Sequence, residues 1–525
     1  MKLCNLPVVM LHEILDHIST PIDFSNLALT SKWLQHLAAP RLYRRLEFTL
    51  SSTTETMKFC ECLLMQGRGQ DWRHWTRSVH VSDEVREGSG RRRSPIWSGL
   101  AGVLDGLASR GLDEFEWDSR DVPPLIVVES LLGLRSLRSL KLEMPLRPQN
   151  HTFLERLAVA HAEHLRSMHI WGIQNDGQMN RVGKTVGFAR GLKDLSLCVA
   201  ADCDWEDDED EDEEYSSSSS EAGGEREVEP EDTDKWMTLP AGVHSTLSSI
   251  ELNGLFNLRD SLHFFNPATL RRLELRQCTG YNSLLHALSS HPDIRNMEEV
   301  VLGSWENCDI ARVSEFICSC PKLKILLLSL SSYALTNDLM RSVIPAVETS
   351  RATLEVLLLD FRHQSRIGSA RDNNSGSNSN NTCVDKTLYQ NPRWLSSIKT
   401  FPRIRELGVS IDLADLTSLP EISTILPPDI RVLDLRFPWQ TVERDRGLRT
   451  AQIQSLVDAS PDTSRLKLVI LGDGDDYEAC TSYEVLRDVE TGGAAVVAPA
   501  NGPRGSMVAG CDHKLYKLRG DCFFI

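Results

Sequence analysis

At 525 residues, with 41% hydrophobic and 25% charged side chains, the chain can bury a large core and is not generally disordered. Its net charge of −17 is local: residues 202–234 hold 18 acidic residues and one Arg, so the remainder is neutral and offers no basic footprint for nucleic acid. No apolar run reaches a membrane span, Asn5, Pro7 and His12-Glu13 interrupt any signal-peptide core, and the 13 cysteines lack the paired spacing of zinc ligands. These features predict an intracellular protein, cytoplasmic or nuclear, with reduced thiols and no transmembrane segment.

The chain opens on an amphipathic pattern. Leu11, Ile14, Leu15 and Ile18 recur at i, i+3, i+4 and i+7, which predicts a helix that starts at Pro7 and ends near Ser19. Thr20-Pro21 breaks it. Asp23 suits the cap of a second helix carrying Leu27 and Leu29, and Trp33, Leu34 and Leu37 make a third that Pro40 should stop. Helices this short are marginal alone and leave apolar side chains for a partner. The ordered set Leu6-Pro7, Asp23-Phe24, Leu27-Ala-Leu-Thr-Ser-Lys-Trp33 and Pro40-Arg-Leu-Tyr-Arg44 resembles an F-box of the fungal F-box/leucine-rich-repeat type. One position departs, since the family usually has an acidic residue where this chain has Val9. The resemblance implies docking to a Skp-type adaptor, and through it to a cullin–RING ubiquitin ligase. Leu6, Pro7, Leu11, Ile14, Leu15, Phe24, Leu27, Leu29 and Trp33 would carry that contact.

From residue 112 the phrase L-x-x-L-x-L recurs, as Leu137/Leu140/Leu142, Leu270/Leu273/Leu275 and Leu354/Leu357/Leu359 among others. Single instances arise by accident in a chain this apolar, so the spacing carries the argument. Phrases begin at 112, 137, 165, 192, 247, 270, 297, 323, 354, 404, 430 and 466, mostly about 26 residues apart, and Leu270 to Cys278 completes L-x-x-L-x-L-x-x-C. The pattern resembles an irregular leucine-rich-repeat array, in which each unit gives one parallel strand to a concave sheet and a helix or loop to the convex side. A doubly wound α/β domain is the competing architecture, though it needs no fixed period. The fold expectation is therefore α/β: a short all-α N-terminal module over residues 1–48, a connecting segment with first irregular repeats over 49–111, a solenoid over 112–472 and a C-terminal cap or flexible tail over 473–525.

Two intervals are doubled, and each holds a segment that cannot bury enough apolar surface to offset its ordering entropy: the acidic run at 201–235 and the Asn/Ser-rich run at 365–386. Both follow a strand phrase and should leave one rim of the solenoid. Ser216, Ser217, Ser218, Ser219 and Ser220 lie between acidic residues and suit an acidophilic kinase, or simply form a solvated spacer.

Side chains between the phrase leucines should point to the concave face. Most are polar, such as Arg272, Glu274 and Arg276, but Val301, Ile325, Leu327, Val356 and Leu358 would form a contiguous apolar patch. Either it binds a protein substrate or the C-terminal tail or an insertion covers it. Other candidates dissolve on spacing. Gly177 and Gly183-Lys184-Thr185 have five residues between the glycines where a phosphate loop has four, and read as an ordinary repeat loop. Asp473-Gly-Asp475-Asp476 starts like a calcium loop, but Tyr477 and Glu478 stand where an oxygen ligand and the turn glycine belong. His161, Glu163 and His164 lack metalloprotease spacing and read as surface residues. Cys522-Phe-Phe-Ile525 has the layout of a prenylation box, with Lys514, Lys517 and Arg519 upstream. No catalytic group, metal site or cofactor site emerges.

The expected function is a substrate-recognition subunit of a ubiquitin ligase that tethers an unknown protein substrate and is not itself the catalyst; the alternative is an adaptor-binding scaffold that joins no cullin. Deleting residues 202–234 should leave the melting temperature within a few degrees of the intact chain, or raise it, because the segment adds charge and entropy but no core. Scanning calorimetry of the two chains checks this.

Overall fold

The computed structural model describes residues 6–16, 18, 20–50, 52–65, 72–83, 94–119, 121–144, 152–200, 237–238, 246–254, 256–258, 261–304, 309–331, 337–362, 395–410, 426–436, 446–458, 465–472, 481–486, 496–499 and 515. The strands in chain order are β1 (Arg45–Thr49), β2 (Ser78–Ser82), β3 (Glu114–Asp118), β4 (Ser139–Glu143), β5 (Ser167–Ile173), β6 (Asp194–Val199), β7 (Met237–Thr238), β8 (Ser249–Asn253) and β9 (Phe256–Asn257). They continue as β10 (Arg272–Arg276), β11 (Glu299–Ser304), β12 (Ile325–Ser331), β13 (Val356–Arg362), β14 (Glu406–Ser410), β15 (Val432–Arg436), β16 (Leu468–Gly472), β17 (Thr481–Leu486) and β18 (Val496–Pro499). β7 and β9 pair with each other, and the rest form one 16-stranded sheet whose order follows the sequence. Its strands from β1 to β16 are parallel, and β17 and β18 close the edge antiparallel.

Helices α4 (Thr53–Met65), α5 (Ser94–Ala108), α6 (Leu125–Leu132), α7 (Thr152–Ala160), α8 (Asp176–Phe188), α9 (Tyr281–Ser289), α10 (Ile310–Cys318) and α11 (Asn337–Glu348) connect successive strands. Strand periodicity of two sends the phrase leucines to one side: in β4, Leu140 and Leu142 are buried while Ser139, Lys141 and Glu143 are half-exposed. Those inward residues share a single core with Leu284, Leu285 and Leu288 of α9 and Phe316 and Ile317 of α10. The outward apolar residues belong to separate clusters. Among the described residues the helices that connect the strands lie on one face of the sheet, the other face meets only Leu515, which is itself helical, and strand order never reverses. That excludes a doubly wound sheet and gives a leucine-rich-repeat-like solenoid.

A second, less visible repeat locks the turns before the strands. The hydroxyl one place before a phrase leucine donates to the carbonyl of the phrase leucine one repeat back: Ser136 to Leu112 at 2.9 Å, Thr246 to Leu192 at 2.7 Å, Thr269 to Leu247 at 2.7 Å and Thr353 to Leu323 at 2.6 Å. These carbonyls lie outside the strand ladder, and each takes its hydrogen bond from the neighbouring repeat. Gly254 shows how tightly neighbouring repeats approach. Its φ is +106°, and a Cβ there would stand 2.6 Å from the Cβ of Val199.

Several expectations change. The parallel sheet starts at Arg45, well before residue 112, because Tyr43 and Thr76 stand where later phrases have leucine; Thr76 is fully buried and donates its hydroxyl to the Tyr43 carbonyl at 2.9 Å. Gly183-Lys184-Thr185 lies inside α8 and not in a loop. His161 is buried, not on the surface: its Nε2–H donates to the Leu131 carbonyl at 3.0 Å, and burial lowers its pKa. The acidic run, Ser216 to Ser220, the Asn/Ser-rich run, Asp473 to Glu478 and Cys522 lie outside the described residues.

Replacing Thr353 by Val keeps the shape but removes the donor to the Leu323 carbonyl. It should cost about 1–2 kcal/mol of unfolding free energy, measured by urea denaturation with an unchanged m-value.

Candidate functional site

Three helices precede the sheet: α1 (Val8–Asp16), α2 (Pro21–Thr30) and α3 (Lys32–Leu42). Pro7 stands just before α1, and its carbonyl accepts the Leu11 N–H at 3.2 Å. Thr20, not Asp23, caps α2, accepting the Asp23 N–H at 3.1 Å with Pro21 in the first turn; Ser31 caps α3 through the Leu34 N–H at 3.2 Å. Pro40 does not stop α3, which runs two residues further and closes with Tyr43 N–H donating to the Ala39 carbonyl at 3.0 Å. Leu15, Phe24 and Ala38 form the module's core with Ile18, Leu27, Ala28, Leu37 and Leu42 around them. An Arg41–Asp16 ion pair and an Arg41 bond to the His12 carbonyl at 3.2 Å tie α3 to α1.

This core divides the residues expected at the adaptor. Leu11, Leu15 and Phe24 are buried and hold the module together, so they present no surface. Leu6 and Leu27 are half-buried, while Pro7, Ile14, Leu29 and Trp33 are exposed. Sequence periodicity did not single out Val8, Val9, Met10 and Ile22, yet they are exposed as well; Leu29 at 83%, Ile22 at 72% and Val9 at 70% stand almost free of the fold. So many large apolar side chains on one small module are unusual for a surface that meets only water.

The face of the sheet away from the connecting helices changes character along the chain. Over β1 to β4 it is a charge lattice: Arg45 pairs with Glu47 at 3.0 Å and Glu116 at 3.6 Å, and Lys141 with Glu114 at 3.1 Å. His169 on β5 lies beside Lys141 in register, and burial, reinforced by Lys141 and Arg272, pushes its pKa down to about 4. On β10, buried Glu274 is gripped by Arg272 at 2.6 Å and Arg276 at 2.5 Å, and Arg272 also reaches Glu299 at 3.2 Å.

Beyond β10 the face becomes apolar. The register sets Val301, Leu327 and Leu358 side by side, with Ile325 against Val356, so the five outward residues expected from the sequence converge in one cluster. A sixth member comes from far away: Leu515, fully buried among them, whose backbone N–H donates to Glu406 Oε2 at 2.9 Å. Leu515 thus covers this part of the patch. Next to it, Arg436 bridges Asp360 at 2.8 Å and Asp434 at 3.1 Å, and the hydroxyls of Ser410 and Ser329 donate to Asp360 at 2.5 and 3.3 Å. Burial works against the charge of Arg436, but Asp434 and Asp360 outweigh it and hold its pKa above the ordinary value.

Among the described residues no group of three or more His, Cys, Asp or Glu could hold a metal ion, and no helix is long and apolar enough to cross a membrane. The described cysteines are free thiols; burial pushes Cys60 and Cys198 up to about 11 and Cys320 to about 12, far from a reactive thiolate. No protein-family model and no curated protein matches the chain. Among solved structures, a crystal structure of the Rad7 and Elc1 complex in yeast is similar to it, at a TM-score of 0.36 and 12% sequence identity over 82% of this chain and 97% of that one.

Because His169 takes its proton only near pH 4 when folded but at its ordinary 6.5 when unfolded, its share of stability is complete above pH 6.5 and is lost as pH falls towards 4. His169→Asn should flatten this part of the stability–pH curve. Urea denaturation series between pH 6.5 and pH 4 compare the two proteins.

Proposed function

We propose that the chain is a receptor that docks a Skp-type adaptor through its N-terminal module and holds a protein substrate on the face of its solenoid away from the connecting helices. The carrying observation is the exposed apolar set Val8, Val9, Met10, Ile14, Ile22, Leu29 and Trp33 on a module whose own core is already complete with Leu15, Phe24 and Ala38. Those side chains have no folding role to justify their exposure, and the F-box resemblance of the same 45 or so residues names a partner that buries such a surface. The contact set proposed from the structure is Pro7, Ile14, Leu29 and Trp33 with Val8, Val9, Met10 and Ile22; Leu11, Leu15 and Phe24 support it from beneath.

In this reading the protein is not a catalyst. Bringing a substrate lysine close to a ubiquitin-loaded enzyme raises its effective concentration without any new chemistry, and a location in cytoplasm or nucleus follows from such partners. The substrate is held along the outward face of the sheet, beside the cluster of Val301, Ile325, Leu327, Val356 and Leu358 that Leu515 already covers.

Changing Ile22 and Leu29 together to Asp should reduce adaptor capture at least a hundredfold and leave the melting temperature unchanged, since both side chains are exposed. Unchanged capture of purified adaptor by the double variant would refute the docking surface. Cullin recovered with the wild-type chain and adaptor supports the ligase; adaptor without cullin supports the scaffold.

A further inference from the structure

The rim where the strands begin carries a column of its own. The residue after the first position of each phrase is tied to its counterpart in the next repeat by one backbone hydrogen bond. The Arg138 N–H donates to the Asp113 carbonyl at 2.8 Å, Arg166 to Arg138 at 2.7 Å, Lys193 to Arg166 at 2.8 Å and Ser248 to Lys193 at 2.7 Å. Strand spacing therefore sets Arg138, Arg166 and Lys193 in a row at about 4.8 Å per repeat. Arg135 and Arg190 lie three residues earlier, in the turns before β4 and β6, and all five residues are exposed. Elsewhere on the rim several cations are matched: Arg77 meets Asp113 at 3.9 Å, Glu298 takes Arg271 at 3.1 Å and Lys324 at 2.6 Å, and Arg405 meets Glu355 at 3.9 Å. Here they are not. Among the described residues none of the five is in an ion pair, and Arg166 Nη1–H donates to a neutral acceptor, the Gly191 carbonyl, at 2.9 Å. The carboxylates nearest in sequence are Glu163, exposed in the turn before β5, and Asp194, whose pKa burial raises against the pull of Arg272 and Lys193. Helices α6, α7 and α8 end just before these turns, and the partial negative charge of their C-termini holds cations at this rim without neutralising them.

We infer that this stretch of the rim, from Arg135 to Lys193, is a docking surface for an acidic segment of a partner protein, whose Asp or Glu side chains meet the five cations across three repeats. It stands apart from the adaptor reading, because no residue of the N-terminal module takes part. Four of the five cations are Arg, whose planar fork takes a carboxylate through two parallel hydrogen bonds. The row from Arg138 to Lys193 spans about 10 Å, and alternate side chains of an extended peptide stand about 7 Å apart, so a short acidic run covers it. Nucleic acid is the poorer fit. Residues 133–138, 161–166 and 189–193 contain no Phe, Tyr or Trp on which a base could stack, and five cations are few for a phosphate track.

The test uses the full chain and a fluorescein-labelled peptide of eight glutamates at low salt. The wild type should bind it one to one, and Arg138→Gln, Arg166→Gln and Lys193→Gln together should weaken binding at least tenfold. A matched triple on the same rim, Arg271→Gln, Lys324→Gln and Arg405→Gln, removes as many charges and should weaken it less than threefold. If the first triple loses its cooperative melting transition, Arg135→Gln with Arg190→Gln, both in turns outside the sheet, takes its place and should weaken binding at least threefold; unchanged affinity in that pair overturns the inference. No binding by the wild type overturns it as well. Equal losses in the two triples do the same, because net charge alone would then account for the binding. Binding that appears only once residues 202–234 are deleted makes the chain's own acidic run the occupant and dismisses the partner. A thymidine octamer that binds more tightly than the peptide, and is lost in the first triple, makes the surface one for nucleic acid and dismisses it too.

Discussion

A repeat phrase of three apolar side chains, one just before its strand and two within it, cannot hide them alone. Leu354, Leu357 and Leu359 are each almost wholly buried, but only because α11 lies behind them and the strands β12 and β14 lie beside them. Every repeat borrows its cover from the next, so the sheet has no self-sufficient unit and stability accumulates by nearest-neighbour contact. The ends are where this arrangement must be stopped. At the C-terminal edge the antiparallel strands β17 and β18 take up hydrogen bonds that another parallel repeat would have used.

The inward half of the molecule was legible because it obeys a local rule. A period of about 26 residues and the phrase L-x-x-L-x-L locate β3 to β6, β8 and β10 to β16, and each phrase leucine is buried. What the phrase missed, it missed for a local reason as well: at β1 and β2 an aromatic and a hydroxyl residue replace the leading leucine, and the hydroxyl of Thr76 satisfies a neighbouring carbonyl instead of filling space. In the N-terminal module, helical spacing correctly placed Leu11 and Leu15 on one stripe, but spacing cannot say whether a stripe faces a partner or the other two helices. Burial decides that, and it turned Leu11, Leu15 and Phe24 inward.

The outward half was only partly legible. Alternation identified Val301, Ile325, Leu327, Val356 and Leu358 as neighbours on one face, yet what lies over them is set by Leu515, more than 150 residues downstream. No periodicity spans that distance. The same holds for Arg436, Asp360 and Asp434, which look in the sequence like ordinary solvated face residues. In the fold they are buried together, where one guanidinium reaches both carboxylates.

The position of Leu515 near the end of the sequence has a kinetic side. Because each strand pairs with its predecessor, the sheet can grow in step with translation, and β11 to β13 can be assembled once Arg362 has emerged. Leu515 follows about 150 residues later, which at about 5–20 residues per second leaves the apolar patch without it for about 8–30 s on every nascent chain. During that interval the patch is open to a chaperone, to a second nascent chain or to a partner that engages co-translationally, none of which has to contend with the tail. The finished protein and the one still on the ribosome thus present different surfaces, although their sheets are built from the same strands.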